Sequence, residues 1–216
     1  MRQPGQILWA AFSHKGDRFV TAGADGTARV WESKTGKPVT QPLRHDEIVR
    51  FATFSPNDTR VLTASSDKTV RIWDVKNSKL VVPPLKHPAS VNHACFNHDG
   101  SLVATAAAQA CVWDVATGES LTAPFHGGNV QHVEFTQDDR LFTSSESHLF
   151  GARVWDGMTG KPLTPNMCHL LKHYCGRLSP NGRRIVTASL DGTARIWNAE
   201  TGSEVASPLK HQHLSL

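Results

Sequence analysis

Tyrosine occurs once in 216 residues, methionine three times and cysteine four times, and charge of one sign is in small excess: net +4, from 23 basic and 19 acidic side chains. Each scarcity excludes something. The longest apolar stretch, around residues 102–108, falls well short of the ~18–20 residues of a membrane span. Residues 1–12 carry Pro4 and Gly5 where the apolar run of a signal peptide would build, so no secretory leader is expected. Cys95, Cys111, Cys168 and Cys175 form no CxxC pair and read as free thiols in a reducing compartment. With 39% hydrophobic residues and so low a net charge, the chain is not of the disordered class. The expectation is a soluble, cytoplasmic, globular chain.

The positive charges are dispersed. Arg29, Arg71, Arg153 and Arg195 each stand two residues before a tryptophan, and Arg18, Arg60, Arg140 and Arg184 each stand three before a threonine. Arginines placed at such regular intervals suit packing of their alkyl stems between repeated units. No basic face interleaved with aromatics appears, so nucleic acid is not an expected partner.

What the chain has is a period. Trp31, Trp73, Trp113, Trp155 and Trp197 are spaced about 40–42 residues apart, and a fixed period in the range of ~20–50 residues marks a repeat architecture. Each unit holds runs of about 5–6 residues rich in Val, Ile, Thr and Ala, which is strand length. Turn chemistry separates them, as in Pro56-Asn57-Asp58, Pro180-Asn181-Gly182, Thr35-Gly36 and Thr159-Gly160. Four strands per unit are expected. The fourth falls on residues 37–42, 79–84, 119–124, 161–165 and 203–208, where recurrent prolines suit an edge. Unit boundaries fall near 1–43, 44–85, 86–125, 126–167 and 168–209, with 210–216 beginning a sixth unit.

These columns resemble the WD40-repeat family over the whole chain. The resemblance rests on Trp31-Glu32, Trp73-Asp74, Trp113-Asp114, Trp155-Asp156 and Trp197-Asn198, and on the His–Thr–Asp columns before them. Phrases such as Thr159-Gly160-Lys161-Pro162-Leu163-Thr164-Pro165 are similar in style to long bacterial, planctomycete-like WD40 proteins. The resemblance implies an all-β, WD40-type β-propeller of five four-stranded blades, either a closed five-bladed ring or part of a larger one. It also implies a buried hydrogen-bond network in each blade. The residues are Thr21, Asp25 and Trp31 (with Gln3 in the histidine's place); His45, Thr63, Asp67 and Trp73; His87, Thr105 and Trp113; His126, Thr143 and Trp155; and His169, Thr187, Asp191 and Trp197. His211 begins the next such column.

An indole N–H only donates, a hydroxyl can accept it and pass a proton on to imidazole, and a carboxylate fixes the imidazole tautomer. The same residue types make a hydrolase triad. A catalytic site, however, is a single exposed constellation beside an oxyanion hole, whereas this one recurs in unit after unit. Catalysis is therefore not expected, and neither is a cofactor. His93, His132 and Cys175 share one column with Phe51 and could approach one another across three units; imidazole and thiolate are zinc-type ligands, but partly packed polar residues are the plainer reading and no metal is assigned. Units three and four depart from the pattern. Ala106-Ala107-Ala108-Gln109 replaces the aspartate turn in one, and 144–151 lengthens it in the other.

The function expected is a protein-interaction scaffold whose protein or peptide partner binds on loops of one rim. Candidate rim residues are Glu47, Arg50, Asn92, Asn129, Gln131, His148, Leu149, Phe150, Lys172 and Tyr174. Leu149-Phe150 reads as an exposed apolar pair. The alternatives are a fragment of a longer array, or the regulatory region of a larger signalling protein such as a kinase fusion. Self-association through open blade ends is a further expectation.

Overall fold

The computed structural model describes residues 5–147 and 149–210, and the side chains of His173 and Tyr174 lie outside that description. Among the described residues, eighteen strands form five antiparallel sheets in chain order, each strand pairing with the next in its own sheet. Blade 1 holds β1 (Ile7–Phe12), β2 (Arg18–Gly23), β3 (Thr27–Glu32) and β4 (Leu43–Arg44); blade 2 holds β5 (Val49–Phe54), β6 (Arg60–Ser65), β7 (Thr69–Asp74) and β8 (Leu85–Lys86). Blade 3 holds β9 (His93–Phe96), β10 (Leu102–Ala106) and β11 (Ala110–Asp114); blade 4 holds β12 (Val130–Phe135), β13 (Arg140–Ser145) and β14 (Ala152–Asp156). Blade 5 holds β15 (His173–Leu178), β16 (Arg184–Ser189), β17 (Thr193–Asn198) and β18 (Leu209–Lys210). This is an all-β propeller architecture. No helix among the described residues is long and apolar enough to cross a membrane.

The local sequence explains the hairpins. In blades 1, 2 and 5 the β2–β3 type of turn contains Asp25-Gly26, Asp67-Lys68 and Asp191-Gly192, with the second residue at positive φ. Each carboxylate accepts the N–H of the threonine two residues on, at 3.0 Å for Asp25, 2.9 Å for Asp67 and 2.9 Å for Asp191, closing an Asx turn. A bulge near the start of β1, β5, β12 and β15 re-aims one side chain of each strand, so that Val49 joins Ala52 and Phe54 in one cluster while Phe51 turns to the other face.

The fourth strands differ from expectation. They are only two residues long, begin one residue past the expected stretches, and exist as paired strands only in blades 1, 2 and 5. The stretches assigned to them meet the third strand through single bridges such as Trp31–Pro38 and Trp155–Pro162. In blades 3 and 4 the edge is reduced to bridges at Phe125 and Met167. The cause lies in Pro42, Pro83, Pro84, Pro124 and Pro165, which remove ladder donors between the bridge and the strand.

The core is a series of interfaces between blades. Val20, Ala22 and Val30 of blade 1 pack on Ala52, Phe54, Val61 and Trp73 of blade 2, and the same columns meet between blades 2 and 3, 3 and 4, and 4 and 5. Among the described residues the broad packing runs from blade 1 through to blade 5 and does not return from blade 5 to blade 1.

Candidate functional site

Every blade contains one shared contact: the third-strand indole N–H donates to the second-strand threonine hydroxyl. The distances are 2.8 Å for Trp31–Thr21, 2.9 Å for Trp73–Thr63, 3.0 Å for Trp113–Thr105, 2.8 Å for Trp155–Thr143 and 2.8 Å for Trp197–Thr187. In blade 2 the Thr63 hydroxyl continues to His45 Nε2 at 2.7 Å, and His45 Nδ1 lies 2.8 Å from the Asp67 carboxylate. Blade 5 repeats this with His169 Nε2 at 2.8 Å from Thr187 and Nδ1 at 3.1 Å from Asp191. Since the hydroxyl already accepts from the indole, it donates to Nε2, and the neutral imidazole then donates its Nδ1–H to the carboxylate.

The electrostatics follow from burial. Burial pushes His45, His87 and His126 down to about 4 from a usual 6.5, and lowers His169 too. Burial by itself would raise Asp67, but the Thr69 hydroxyl, the His45 ring and the Asp46 N–H outweigh it and hold the carboxyl at about 2. Asp191 is depressed in the same way, by Thr193 and His169.

Blades 3 and 4 depart from the expected network. His87 makes no bond to Thr105; its Nε2 is buried without a partner and its ring meets the Trp113 ring edge-on at 5.2 Å. The shortened turn at 107–109 supplies no carboxylate to hold the imidazole. In blade 4 the ring is reversed: the Thr143 hydroxyl donates to His126 Nδ1 at 2.6 Å, and Nε2 donates to the Phe150 carbonyl at 3.3 Å. A loop carbonyl thus stands where blades 2 and 5 use aspartate. Gln3 and His211 lie outside the described residues.

The periodic arginines pack against the blades. Arg153 lies over Trp155 at 4.9 Å and donates to the Thr164 carbonyl at 2.6 Å; Arg71 reaches the Arg44 carbonyl at 2.7 Å and Asp67 at 3.3 Å. The inner strands carry a continuous row of tilted ring contacts. Trp9–Phe51, Phe51–His93 and His93–His132 centroids are 4.7, 4.0 and 4.1 Å apart. The two imidazoles touch at a tilt of 57°, and no group of three His, Cys, Asp or Glu among the described residues is arranged to hold a metal. Cys95, Cys111, Cys168 and Cys175 are free thiols, with burial pushing Cys95 up to about 12 and Cys111 up to about 11.

On the rim, four side chains join three blades. Asn92 donates to the Asn129 side chain at 3.2 Å, Asn129 donates to Glu146 at 3.1 Å, and Lys172 pairs with the other Glu146 oxygen. Three of these were expected; Glu146, the hub, was not, although it lies in the lengthened loop. Asn129 and His126 both have positive φ, a backbone conformation unusual for residues with a side chain. Gly128, at φ 85°, leaves room for the Phe150 ring, which would lie 2.6 Å from any added Cβ. Phe150 rests one edge of its ring on this glycine and is still 40% exposed, so both members of the Leu149-Phe150 pair meet water. Leu149 is 66% exposed, and the apolar surface continues at Leu170 (81%) and Leu171 (52%), which the sequence reading missed. Glu47 and Arg50 are exposed, Arg50 bonding Ser66 at 2.8 Å, and Gln131 is half-buried. His148 and the Tyr174 side chain lie outside the described residues.

The WD domain, G-beta repeat family matches residues 3–32, 36–74 and 168–198. The WD repeat-containing protein 18 of Danio rerio is 29% identical over 111 residues, 45% of this chain and 25% of that protein. The ribosome biogenesis protein WDR12 homolog of Ixodes scapularis is 32% identical over 100 residues, 43% of this chain and 23% of that protein. The human eukaryotic translation initiation factor 3 subunit I is 26% identical over 82 residues, 38% of this chain and 25% of that protein. The chain thus spans about a quarter of the length of these relatives. Among solved structures, the computationally designed Ika8 protein superposes with a TM-score of 0.84 at 26% identity, covering 95% of this chain and 62% of that one.

Replacing Asp67 by alanine orphans His45 and the Thr69 turn together and should cost on the order of 1–3 kcal/mol in chemical denaturation; an unchanged midpoint would remove the carboxylate from the account. Acid should act on the same groups. The unfolded chain takes up protons near 6.5 that His45, His87 and His126 accept only near 4, so stability is full above pH 6.5 and falls as pH drops toward 4. A second loss follows between about 3.8 and 2, as folded Asp67 is protonated. Urea midpoints that stay flat from pH 7 to 4 would contradict this. WD40 repeats are thus detected over residues 3–32, 36–74 and 168–198, and the tryptophan–threonine contact of those stretches recurs in every blade of the β-propeller.

Proposed function

We propose that the chain is a non-catalytic scaffold that binds a protein or peptide partner on the rim of blades 3 to 5. The observation that carries this reading is the exposure of Leu149, Leu170 and Leu171 beside a polar chain, Asn92–Asn129–Glu146–Lys172, that fixes the loops bearing them. Apolar side chains held on a rigid frame lose little entropy on docking, and an apolar cluster with a polar border is the usual form of a binding patch. The two loops are also tied by Asn166, which donates to the Leu149 carbonyl at 3.3 Å.

An enzymatic reading finds no support in the threonine–histidine–aspartate sets. The hydroxyls of Thr63, Thr105 and Thr143 are fully buried beneath tryptophan, where no substrate carbonyl can reach them. The relatives' names describe a ribosome biogenesis protein and a subunit of a translation initiation factor, and membership of a larger assembly is the role we extend to this chain. Unlike the buried network, the rim patch has no structural need for three leucines in water.

The test uses a partner captured by the wild-type chain and then purified. Replacing Leu149 and Leu170 together by serine should raise its Kd at least about tenfold while leaving the melting temperature unchanged, because neither side chain is packed. An unchanged Kd would remove this face as the binding site.

A further inference from the structure

Four interfaces join the five blades, and all are made alike. One face of each blade presents the second-strand residue of a single column, Val20, Leu62, Ala104 or Phe142, to the opposite face of the next blade, which carries the tryptophan and Val61, Val103, Leu141 or Ile185. All four residues of the first column are 0% exposed, but the fifth, Val186, is 46% exposed. Leu209 is exposed as well, where the matching Leu43, Leu85, Phe125 and Met167 are buried. On the opposite face of blade 1, Phe12 is 71% exposed where Phe54 is 2%, and Ile7 is 44% exposed where Val49 is 0%, while Trp31 stays covered at 8%. Blades 5 and 1 therefore each present apolar side chains to water, on the two faces that elsewhere form the repeated interface.

The width of the open sector follows from the superposition. Ninety-five per cent of this 216-residue chain covers 62% of the matched protein, which is thus about 330 residues long. At about 42 residues per repeat, that length holds about eight blades, and five blades at this curvature leave room for three. A second copy of the chain presents the right faces but brings five blades; its last two would collide with blades 1 and 2. Contact through one end alone would be heterologous and leave both outer faces bare.

We infer that the sector between blade 5 and blade 1 is filled by three further four-stranded blades from outside these 216 residues, docked on Val186, Ile196 and Leu209 at one side and on Ile7, Phe12 and Phe19 at the other. This surface lies between blade faces, not on the rim, and the inference stands whether or not the leucine patch binds a partner. The occupant is recognised by shape and apolarity: a tryptophan-bearing face to lie on blade 5, and a face of small and branched aliphatic residues to lie on blade 1.

The chain's own blades 2 to 4 supply such a segment. Residues 44–167 appended after residue 209 give an eight-repeat chain; 44–125 and 44–209 give seven and nine. Thermal melts and sedimentation then compare these with the 216-residue chain. The eight-repeat chain should be monomeric and melt at least about 10 °C above the parent and above both comparators, because only it removes both apolar faces from water. Val186→Asp should leave the parent's melting temperature within about 2 °C, since the side chain meets water there, and should abolish most of the eight-repeat gain. A maximum at seven or nine repeats, or no gain at eight, would overturn the three-blade assignment. So would a stable dimer of the parent that Val186→Asp dissociates, which would make a second copy the occupant.

Discussion

The hydrogen bond from each repeat tryptophan to the threonine on the neighbouring strand is the contact on which the blades depend. It recurs in all five at 2.8–3.0 Å, even where histidine and aspartate are missing or displaced. A buried indole N–H without an acceptor costs on the order of 1–3 kcal/mol, so burying a tryptophan at a blade interface requires one. The threonine supplies it, and its hydroxyl proton is then free to bond an imidazole or a strand carbonyl. In blades 2 to 5 the tryptophan's apolar rings do the rest, covering the preceding blade. One residue thus couples order within a blade to adhesion between blades, and a repeat that keeps it can vary elsewhere.

Variation is concentrated in blades 3 and 4. Blade 3 gives up the carboxylate and leaves His87 Nε2 without a partner; blade 4 lengthens the same turn and uses the Phe150 carbonyl on His126. That longer loop carries Glu146 toward Asn129 and Lys172 and leaves Leu149 in water. With the repeated network relaxed, the blade 3 turn shortens and the blade 4 turn lengthens, and the longer one forms rim contacts that blades 1 and 2 do not build. Departures from a local rule tend to mark functional or strained positions, and the positive φ of His126 and Asn129 falls in this segment.

Much of the fold was legible in the sequence because its determinants are local and repeated. The tryptophan period, the Asx turns at Asp25, Asp67 and Asp191, and the short branched strands each need only a few adjacent residues. The fourth strands were misplaced because prolines that mark an edge also forbid ladder bonds at their own positions, which shifts pairing to Leu43, Leu85 and Leu209. Glu146 escaped notice since its partners come from two other loops that only the blade arrangement brings together. Leu170 and Leu171 left a signal that periodic reading passes over: after the blade histidine, the other repeats place Asp46-Glu47, Pro88-Ala89 and Gly127-Gly128. Whether the ring closes was not legible at all. Val186 looks like any member of its column until its face is found bare.

The most direct measurement is a double-mutant cycle on blade 2, with Trp73→Phe, Thr63→Val and the pair compared in chemical denaturation. If the indole–hydroxyl bond organises the blade, removing either partner alone strands a buried polar group, and removing both costs less than the sum. The expected coupling is on the order of 1–2 kcal/mol. Strictly additive losses would show the two side chains to be independent packing residues and would contradict the account.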